Sequence, residues 1–362
     1  MSSFTIPSAS KPRARALQSI VPAYVVVVPA RRTGFRPRPG LRSSGMQVLT
    51  TLDESRIAEL RARDEFFWLD LTGPSDSDFE TLARLLELSD LALDDLGEFK
   101  HSRALLHPYG DYMLLVYFAA RHRRDAGASA SDMLIEVHLL VSGSCVVTVH
   151  HRECDGLVEL QRRFERDPRG TEEFIVFNIL DTLTDTFFPV LSEVGDEIDD
   201  LEEEVLQEAS EELLEKSRHV KRELLHFRTT INSQRDLFGR ITDEIEELPG
   251  LDKDSKDHFR NTYDHLIRLS ELVDNYRELL TGVRDIYVST ISNRLNEIMK
   301  RLTVIATFFL PLTVVTGFFG QNFKWLVNHI ESFGAFLGFG IGMLVLCVVA
   351  LWGWFRRSAM LR

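Results

Sequence analysis

The hydrophobic pattern of the first half of the chain is that of an α/β domain. Between Met46 and about residue 170, short β-branched and aromatic runs alternate with amphipathic pieces. The pattern predicts strands at Phe66–Leu71, Asp111–Ala119, Met133–Val141 and Cys145–His150, and helices at Ser55–Arg63 and Asp78–Leu86.

The second half reads as helical. After Gly156 the strand pattern stops, and residues 171–250 show helical periodicity with dense charge, which predicts two long, acidic, solvated helices packed back to back. Pro249-Gly250 interrupts this pattern. The stretch from Asp252 to Phe319 then predicts one very long helix of about 100 Å, with residues 251–301 as a stalk.

Two uncharged apolar stretches follow, at residues 302–319 and 333–355, of about 18 and about 23 residues. A loop of residues 320–332 joins them, so a transmembrane hairpin in the lipid bilayer is predicted. Basic residues flank the hairpin at Lys300, Arg301, Arg356 and Arg357, whereas the loop offers only Lys324 against Glu331. The positive-inside rule therefore places both chain ends, including the basic tail 356–362, in the cytoplasm of a cell with the hairpin in its inner or plasma membrane.

Composition limits the membrane part to this local segment. The chain is 44% hydrophobic and 27% charged, close to globular averages, and its net charge of -13 argues against a nucleic-acid surface. Residues 1–45 are basic and rich in Ser and Pro, which predicts a disordered tail, and Met46 is an alternative initiator. The cysteines Cys145, Cys154 and Cys347 show no paired spacing.

Other clusters of chemically active residue types favour ordinary surface roles. His150, His151 and Cys154 have a zinc-like composition, but an exposed turn at a strand end is the favoured interpretation. Two acidic groups are interpreted as solvated faces, since no nucleophile or phosphate loop accompanies them: Asp95, Glu98 and His101, and Asp196, Asp199, Asp200 and Glu203. No motif supports an enzyme.

One face of the long helix carries an ordered stripe. Steps of three or four residues lead through Asp285, Ser289, Ser292, Asn296, Met299, Leu302, Ala306, Leu310, Thr313 and Gly317. The stripe is polar, then apolar, then polar. Several copies around an axis could form a pore, lined by Asp285, Ser292, Asn296 and Thr313, with a hydrophobic gate at Met299, Leu302 and Leu310. A coiled-coil seam with some polar positions is the alternative.

The residues that follow the first span favour the pore. Gly320 permits a tight bend, and the amides of Gln321 and Asn322 could direct oxygens toward an axis. A ring of neutral oxygens suits a hard cation that keeps its water, as Mg²⁺ does.

The second half of the chain resembles the CorA family of divalent cation transporters. The resemblance lies in Tyr276–Leu280, Ser292–Lys300, Pro311–Thr313, Gly317–Gly320 and Gln321–Phe323. It implies a CorA-like fold: an α+β cytoplasmic funnel domain, a very long stalk helix and a two-helix transmembrane hairpin. It also implies a homopentamer in which Gly320, Gln321 and Asn322 form the outer selectivity ring and Asn322 binds hydrated Mg²⁺.

Three departures from the family pattern stand out. The family's usual Gly-Met-Asn signature has Gln321 in place of methionine, which leaves the preferred ion open. The external loop, residues 324–332, lacks the family's usual Met-Pro-Glu run and offers only Glu331 as an acid. The stalk position that the resemblance matches to a regulatory carboxylate is Asn261, which implies either weaker sensing or regulatory carboxylates at neighbours such as Asp111 and Asp264.

Three hypotheses remain. The first is a channel for Mg²⁺ influx, driven by the membrane potential and closed by intracellular Mg²⁺, with Mg²⁺ both transported and regulatory and no organic cofactor. The second keeps the fold but changes the ion to Zn²⁺, as in ZntB-like proteins, or to Co²⁺ or Ni²⁺. The third is a membrane-anchored helical scaffold without transport.

Overall fold

The computed structural model describes residues 46–122, 130–167, 172–244, 256–321, 324 and 332–357. The basic tail of residues 1–45 and most of the predicted loop 320–332 lie outside the described residues.

The first part of the chain forms a six-stranded mixed sheet. Its strands are β1 (Gln47–Leu49), β2 (Phe67–Thr72), β3 (Leu105–Pro108), β4 (Met113–Ala120), β5 (Leu134–Val141) and β6 (Cys145–His150), in the order β1-β2-β6-β5-β4-β3. The pairs β1–β2 and β2–β6 are parallel, whereas β3 to β6 form antiparallel pairs. Three short helices lie between these strands: α1 (Glu54–Ala62), α2 (Asp76–Leu86) and α3 (Asp90–Gly97).

Each face of the sheet has its own core. Phe67 and Leu69 of β2 pack with Ile57 of α1 and Leu82 of α2 in one cluster. The neighbouring residue Trp68, on the opposite face, belongs to a larger cluster that continues into the helices after the sheet. This alternation along β2 reflects the two-residue period of a strand, and it explains why the residues Phe67, Trp68 and Leu69 form a continuous apolar run.

The later helices are α4 (Asp155–Arg166), α5 (Glu172–Asp185), α6 (Phe187–Gln207), α7 (Glu211–Glu244) and α8 (Lys256–Phe319). After α8 come α9 (Phe333–Ala335), a π-helical segment (Phe336–Ile341) and α10 (Gly342–Arg357), which follow one another directly. Thr186 between α5 and α6 keeps helical backbone angles and donates its hydroxyl to the carbonyl of Leu183, 2.6 Å away.

The expectation of solvated helices is wrong for α5. Ile175, Ile179 and Leu183 on this helix are fully buried, because α5 packs directly on the sheet and on α8. The acidic residues of α6 behave as expected: Asp196, Asp199, Asp200 and Glu203 are exposed.

His150 is also not in an exposed turn. It is 1% exposed, and its Nε2 lies 3.1 Å from the carboxylate of Asp70 on β2. Gln161 of α4 donates to the same carboxylate at 2.5 Å, and the hydroxyl of Thr148 also bonds to it. The network satisfies a buried carboxylate and fastens α4 to the sheet, so His150 has a structural role.

Candidate ion pathway and metal-binding groups

Helix α8 is one continuous helix of 64 residues that begins in the core and leaves it. Its residues Phe259, Leu266, Val273 and Val283 are buried against the other helices. Val283 is the last buried residue of the helix, and Ile286 and Tyr287 after it pack partly against the core. Beyond Tyr287, large apolar side chains are exposed, including Leu295 and Ile305 at 55% and 54%.

The stripe of polar and apolar residues lies on this projecting part of α8. Because the helix is continuous, positions three and four residues apart share one face. Asp285, Ser292 and Asn296 are exposed, and so are the residues of the expected gate, Met299, Leu302 and Leu310. No other described residue buries these side chains.

The hydroxyl of Thr313 donates its hydrogen bond within the helix. It donates to the carbonyl of Phe309 at 2.8 Å, as Thr303 and Thr307 do to the carbonyls four residues before them. The oxygen of such a hydroxyl still has a free lone pair that points away from the helix. In this rotamer Thr313 therefore offers an acceptor, which is what a cation or its water requires.

Gly320 closes the C-terminal end of α8. Its backbone N–H donates to the carbonyl of Thr316 at 2.9 Å, and the N–H of Gln321 donates to Phe318 at 3.3 Å. Gly320 does not have a positive φ, so its backbone angles do not call for glycine. The position is crowded instead, because a β-carbon there would lie 3.2 Å from the Thr316 carbonyl oxygen. Asn322 lies outside the described residues.

The two apolar stretches are confirmed as helices. Among the described residues, three helical segments are long and apolar enough to cross a membrane by length and composition: Glu172–Gln207, Phe259–Phe318 and Phe333–Trp354. In the first segment, more than half of the most apolar 18 residues are buried inside the protein. In each of the other two segments, none of the most apolar 18 residues is buried. The apolar residues of the first segment therefore belong to the protein core.

The basic residues at the ends of the hairpin make local contacts that suit the membrane–water interface. Arg301 pairs with Glu297 one turn earlier at 2.5 Å. The guanidinium of Arg356 lies over the ring of Trp352, 5.2 Å from its centroid. Lys300 and Arg357 lie beside them at the two helix ends and complete the four expected basic residues.

The expected regulatory carboxylates Asp111 and Asp264 are both exposed. Asp111 lies in the turn before β4, outside the predicted strand that began with it, and Asp264 lies on the outer surface of α8. Neither belongs to a cluster of metal-ligating groups among the described residues.

Beside Asp264, the structure brings together a group that sequence reasoning missed. Asp181 and Asp185 of α5 and His265 of α8 place one ligand atom each within 4.8 Å of one another. His265 Nδ1 lies 3.1 Å from Asp185, and Thr262 donates to Asp181 at 2.7 Å. Burial and the neighbouring Asp181 raise the pKa of Asp185, and His265 partly opposes this. The four-residue spacing of the two aspartates could have been recognised in the sequence as one face of a helix. His265 could not have been added to them, because it is 80 residues further along the chain.

A family model described as CorA-like Mg²⁺ transporter protein matches residues 63–357, most of the chain. The chain belongs to the CorA family. This family consists of divalent cation transporters, so the resemblance drawn from the sequence, membrane transport and the CorA-like fold are confirmed.

Individual CorA relatives cover most of the chain. It is 28% identical over 282 residues to the cobalt/magnesium transport protein CorA of Thermotoga maritima, covering 76% of this chain and 78% of the relative. It is 24% identical over 293 residues to the zinc transport protein ZntB of Yersinia pseudotuberculosis, covering 80% and 86%. The solved CorA magnesium transporter of Methanocaldococcus jannaschii has the same fold, with a TM-score of 0.70, 23% identity, and coverage of 80% of this chain and 90% of that one.

Proposed function

We propose that this CorA family member is a homopentameric channel that admits divalent cations, chiefly Mg²⁺, into the cytoplasm. The observation that carries the proposal is the course of α8. One helix joins the packed cytoplasmic core to an apolar span, and along a single face it carries polar, then apolar, then polar residues. Copies arranged around an axis would turn that face into a water-filled entrance, a dewetting constriction and a second polar ring.

The pentamer is supported by exposure in the single chain. Exposed large apolar side chains are frequent on α8 beyond Tyr287, and Met299, Leu302 and Leu310 are 64%, 65% and 69% exposed. A bilayer can cover the outward side of the span that begins at Leu302. Met299 lies in the stalk before that span, where another subunit is the suitable neighbour for an exposed apolar side chain, whereas the polar positions Asn296 and Asp285 suit a water-filled axis. Five copies place these residues around a common axis.

The orientation follows from the charges at the helix ends. Lys300 and Arg301 precede the first span and Arg356 and Arg357 end the second, so both ends of the hairpin face the cytoplasm. The inside-negative potential then drives cations inward, supplying about 2.3 kcal/mol per charge for each 100 mV. A divalent ion needs no other source of energy.

Selectivity is assigned to the residues that follow α8. Gly320 and Gln321 close the helix, and Asn322 supplies the amide oxygen that contacts the hydrated ion. Neutral oxygens favour Mg²⁺, which is bound mostly through its water shell. The replacement of the usual methionine by Gln321 adds a polar side chain at the entrance. Together with the similarity to ZntB, it makes Zn²⁺ the second candidate ion.

Ion flux into proteoliposomes tests the proposal. Vesicles loaded with a Mg²⁺-sensitive dye receive a negative-inside potential, with Zn²⁺, Co²⁺ and Ni²⁺ tested in parallel. Asn322→Ala is expected to abolish potential-driven Mg²⁺ entry, whereas Asn328→Ala, which removes an amide from the same loop, should leave it. Flux of Zn²⁺ alone would establish the second candidate. No flux of any ion from folded oligomers would leave only the scaffold hypothesis.

Native mass spectrometry tests the assembly separately. The detergent-solubilised protein is expected at five times the chain mass of 41.5 kDa. A monomer or dimer would contradict the pore geometry, because a single hairpin or a pair of hairpins cannot enclose a channel.

A further inference from the structure

A second group of metal-ligating side chains lies at the sheet, far along the sequence from the helix ends that form the proposed pore. Glu136 and His138 are two residues apart on β5, so their side chains lie on the same face of the sheet. His101 approaches this face from the segment between α3 and β3. The three residues place one ligand atom each within 4.8 Å of one another.

All three residues meet at one carboxylate oxygen. Glu136 Oε1 lies 2.7 Å from His101 Nδ1 and 2.9 Å from His138 Nε2. The backbone N–H of His101 also donates to this oxygen at 3.3 Å. The expectation that His101 belongs to a solvated face is therefore wrong: its side chain is 19% exposed and turned inward toward Glu136.

The orientation of His138 is that of a metal ligand. Its Nδ1 lies 2.9 Å from the carbonyl oxygen of Leu96, which can only accept, so Nδ1 carries the hydrogen. In the neutral ring Nε2 then presents a lone pair, and it faces an acceptor, Glu136 Oε1, at 2.9 Å. Two acceptors at that distance repel unless a cation lies between them or one of the two groups, imidazole or carboxylate, takes a proton. Fixing a ligating histidine through a backbone carbonyl is how metal sites orient their imidazoles.

The surroundings hold the site rigid and leave one side open. His138 is fully buried and stacks on Phe99, with ring centroids 4.2 Å apart and planes 8° from parallel. Glu136 and His101 retain side-chain exposures of 13% and 19%. An ion can therefore enter from the side of His101, and water can complete its coordination there.

We propose that His101, Glu136 and His138 bind one divalent transition-metal ion of the Zn²⁺ class in each chain. Two imidazole nitrogens and one carboxylate oxygen form a ligand set that Zn²⁺, Co²⁺ and Ni²⁺ prefer, whereas Mg²⁺ prefers oxygen throughout. Bonds of about 2.0–2.1 Å place tetrahedral ligand atoms about 3.3 Å apart, so Glu136 Oε1 needs to move only about half an ångström from each of the two nitrogens it now contacts.

This inference does not depend on which ion the channel carries. It concerns a site within the sheet domain, and it would stand if the proposed Mg²⁺ flux were absent. The group of Asp181, Asp185 and His265 has two carboxylates and one imidazole and is the harder-ligand site of the two. Millimolar Mg²⁺ in the assay occupies such oxygen-rich sites without competing strongly for a site with two imidazoles.

Zn²⁺ binding to the full-length protein in detergent tests the proposal. The protein is stripped with a chelator, and Zn²⁺ is then titrated in competition with a chromophoric chelator in the presence of excess Mg²⁺. Glu136→Gln and His101→Gln are each expected to bind one Zn²⁺ per chain fewer. Their affinity at this site should fall by more than about 100-fold, beyond the loss typical of outer-shell partners. His226→Gln, which removes an exposed imidazole from α7, is the matched control and should bind as the parent does.

Co²⁺ provides an independent readout. The parent protein is expected to show the visible absorption bands of low-symmetry Co²⁺ coordinated by nitrogen, and both variants should lose them. His101→Gln, in a half-buried loop, keeps the test valid even where a change on β5 impairs folding. Equal Zn²⁺ content and equal Co²⁺ spectra in the parent and in folded His101→Gln would overturn the proposal and leave a proton-mediated ion pair between His138 and Glu136.

Discussion

Gly195 of α6 lies directly against the side chain of Tyr276 of α8: a β-carbon built on Gly195 would be 2.5 Å from the phenol oxygen and 2.8 Å from the ring carbon that bears it. Gly195→Ala is therefore expected to destabilise the protein. Overpacking typically costs about 1–3 kcal/mol, which exceeds the gain of up to about 1 kcal/mol from replacing glycine in a helix. The measurement is the thermal unfolding midpoint of the detergent-solubilised protein.

The matched control is Gly239→Ala on α7, where a β-carbon meets nothing within 4 Å. There the helix propensity acts alone, so the unfolding midpoint should rise or stay unchanged. Equal changes at Gly195 and Gly239 would show that contact with Tyr276 does not set the spacing of α6 and α8.

The buried carboxyl of Glu172 predicts a loss of stability at high pH. Burial raises its pKa from 4.5 to about 8, although the N–H of Gly143 donates to it at 2.8 Å and opposes the shift. The folded protein therefore holds a proton that the unfolded chain releases between these two values. The stability from this proton is complete below about pH 4.5 and is lost as the pH rises through about 8, with an upper bound of about 5 kcal/mol.

Glu172→Gln removes this titration while keeping an oxygen that can accept from Gly143. The variant is expected to have a higher unfolding midpoint than the parent at pH 9 and a flatter midpoint-against-pH profile between pH 5 and pH 9. Parallel profiles for the two proteins would show that Glu172 does not titrate in this range.

The proposed gate predicts a leak when one apolar ring becomes polar. Met299→Ser is expected to raise resting Mg²⁺ flux severalfold in proteoliposomes, because a polar ring keeps the constriction wet. Ile298→Ser alters the adjacent residue, which is also exposed but lies off the stripe. It should change the flux far less. A larger leak in Ile298→Ser than in Met299→Ser would mean that another face of α8 lines the pore.

The carboxylates of Asp181 and Asp185 on α5, which lie beside His265 of α8, predict where intracellular Mg²⁺ acts. Mg²⁺ is expected to protect the protein from limited proteolysis, and Asp181→Asn/Asp185→Asn should require at least about tenfold more Mg²⁺ for the same protection, since a hard cation depends on these oxygens. Asp200→Asn/Glu203→Gln removes two exposed charges from α6 and should behave as the parent does. If Asp111→Asn or Asp264→Asn has the larger effect, the regulatory ion is bound at those residues.

The membrane helices and the longer strands could be predicted from the sequence because their signals are local. An uncharged stretch of about 20 residues has few alternatives to a spanning helix. The predicted strand Asp111–Ala119 differs from β4 by only one or two residues at its ends. Two strands were missed for opposite reasons. β1 has only three residues, too few to show a period, and β3 ends at Pro108 on the edge of the sheet, where proline reads as a turn.

The metal-ligating clusters could be predicted only in part. The spacing of Glu136 and His138 on a predicted strand already placed them on one face, and that signal was available. The arrival of His101 depends on how α3 and β3 are connected, which no local pattern specifies. Likewise, the burial of His150 depends on Asp70, 80 residues away across the sheet. Such contacts arise from tertiary packing between residues far apart in the sequence.

Because α8 is continuous, a small tilt at its packed end produces a larger displacement at its far end. From Val283, its last buried residue, to Phe319 the helix is about 54 Å long at 1.5 Å per residue. A tilt of about 5° at the packed end would carry the far end sideways by about 5 Å, close to one helical turn. Small rearrangements among α5, α6 and α7, each too slight to disturb their packing, would therefore displace Gly320 by about 5 Å. That distance is comparable to the width of the first water shell of a hydrated ion.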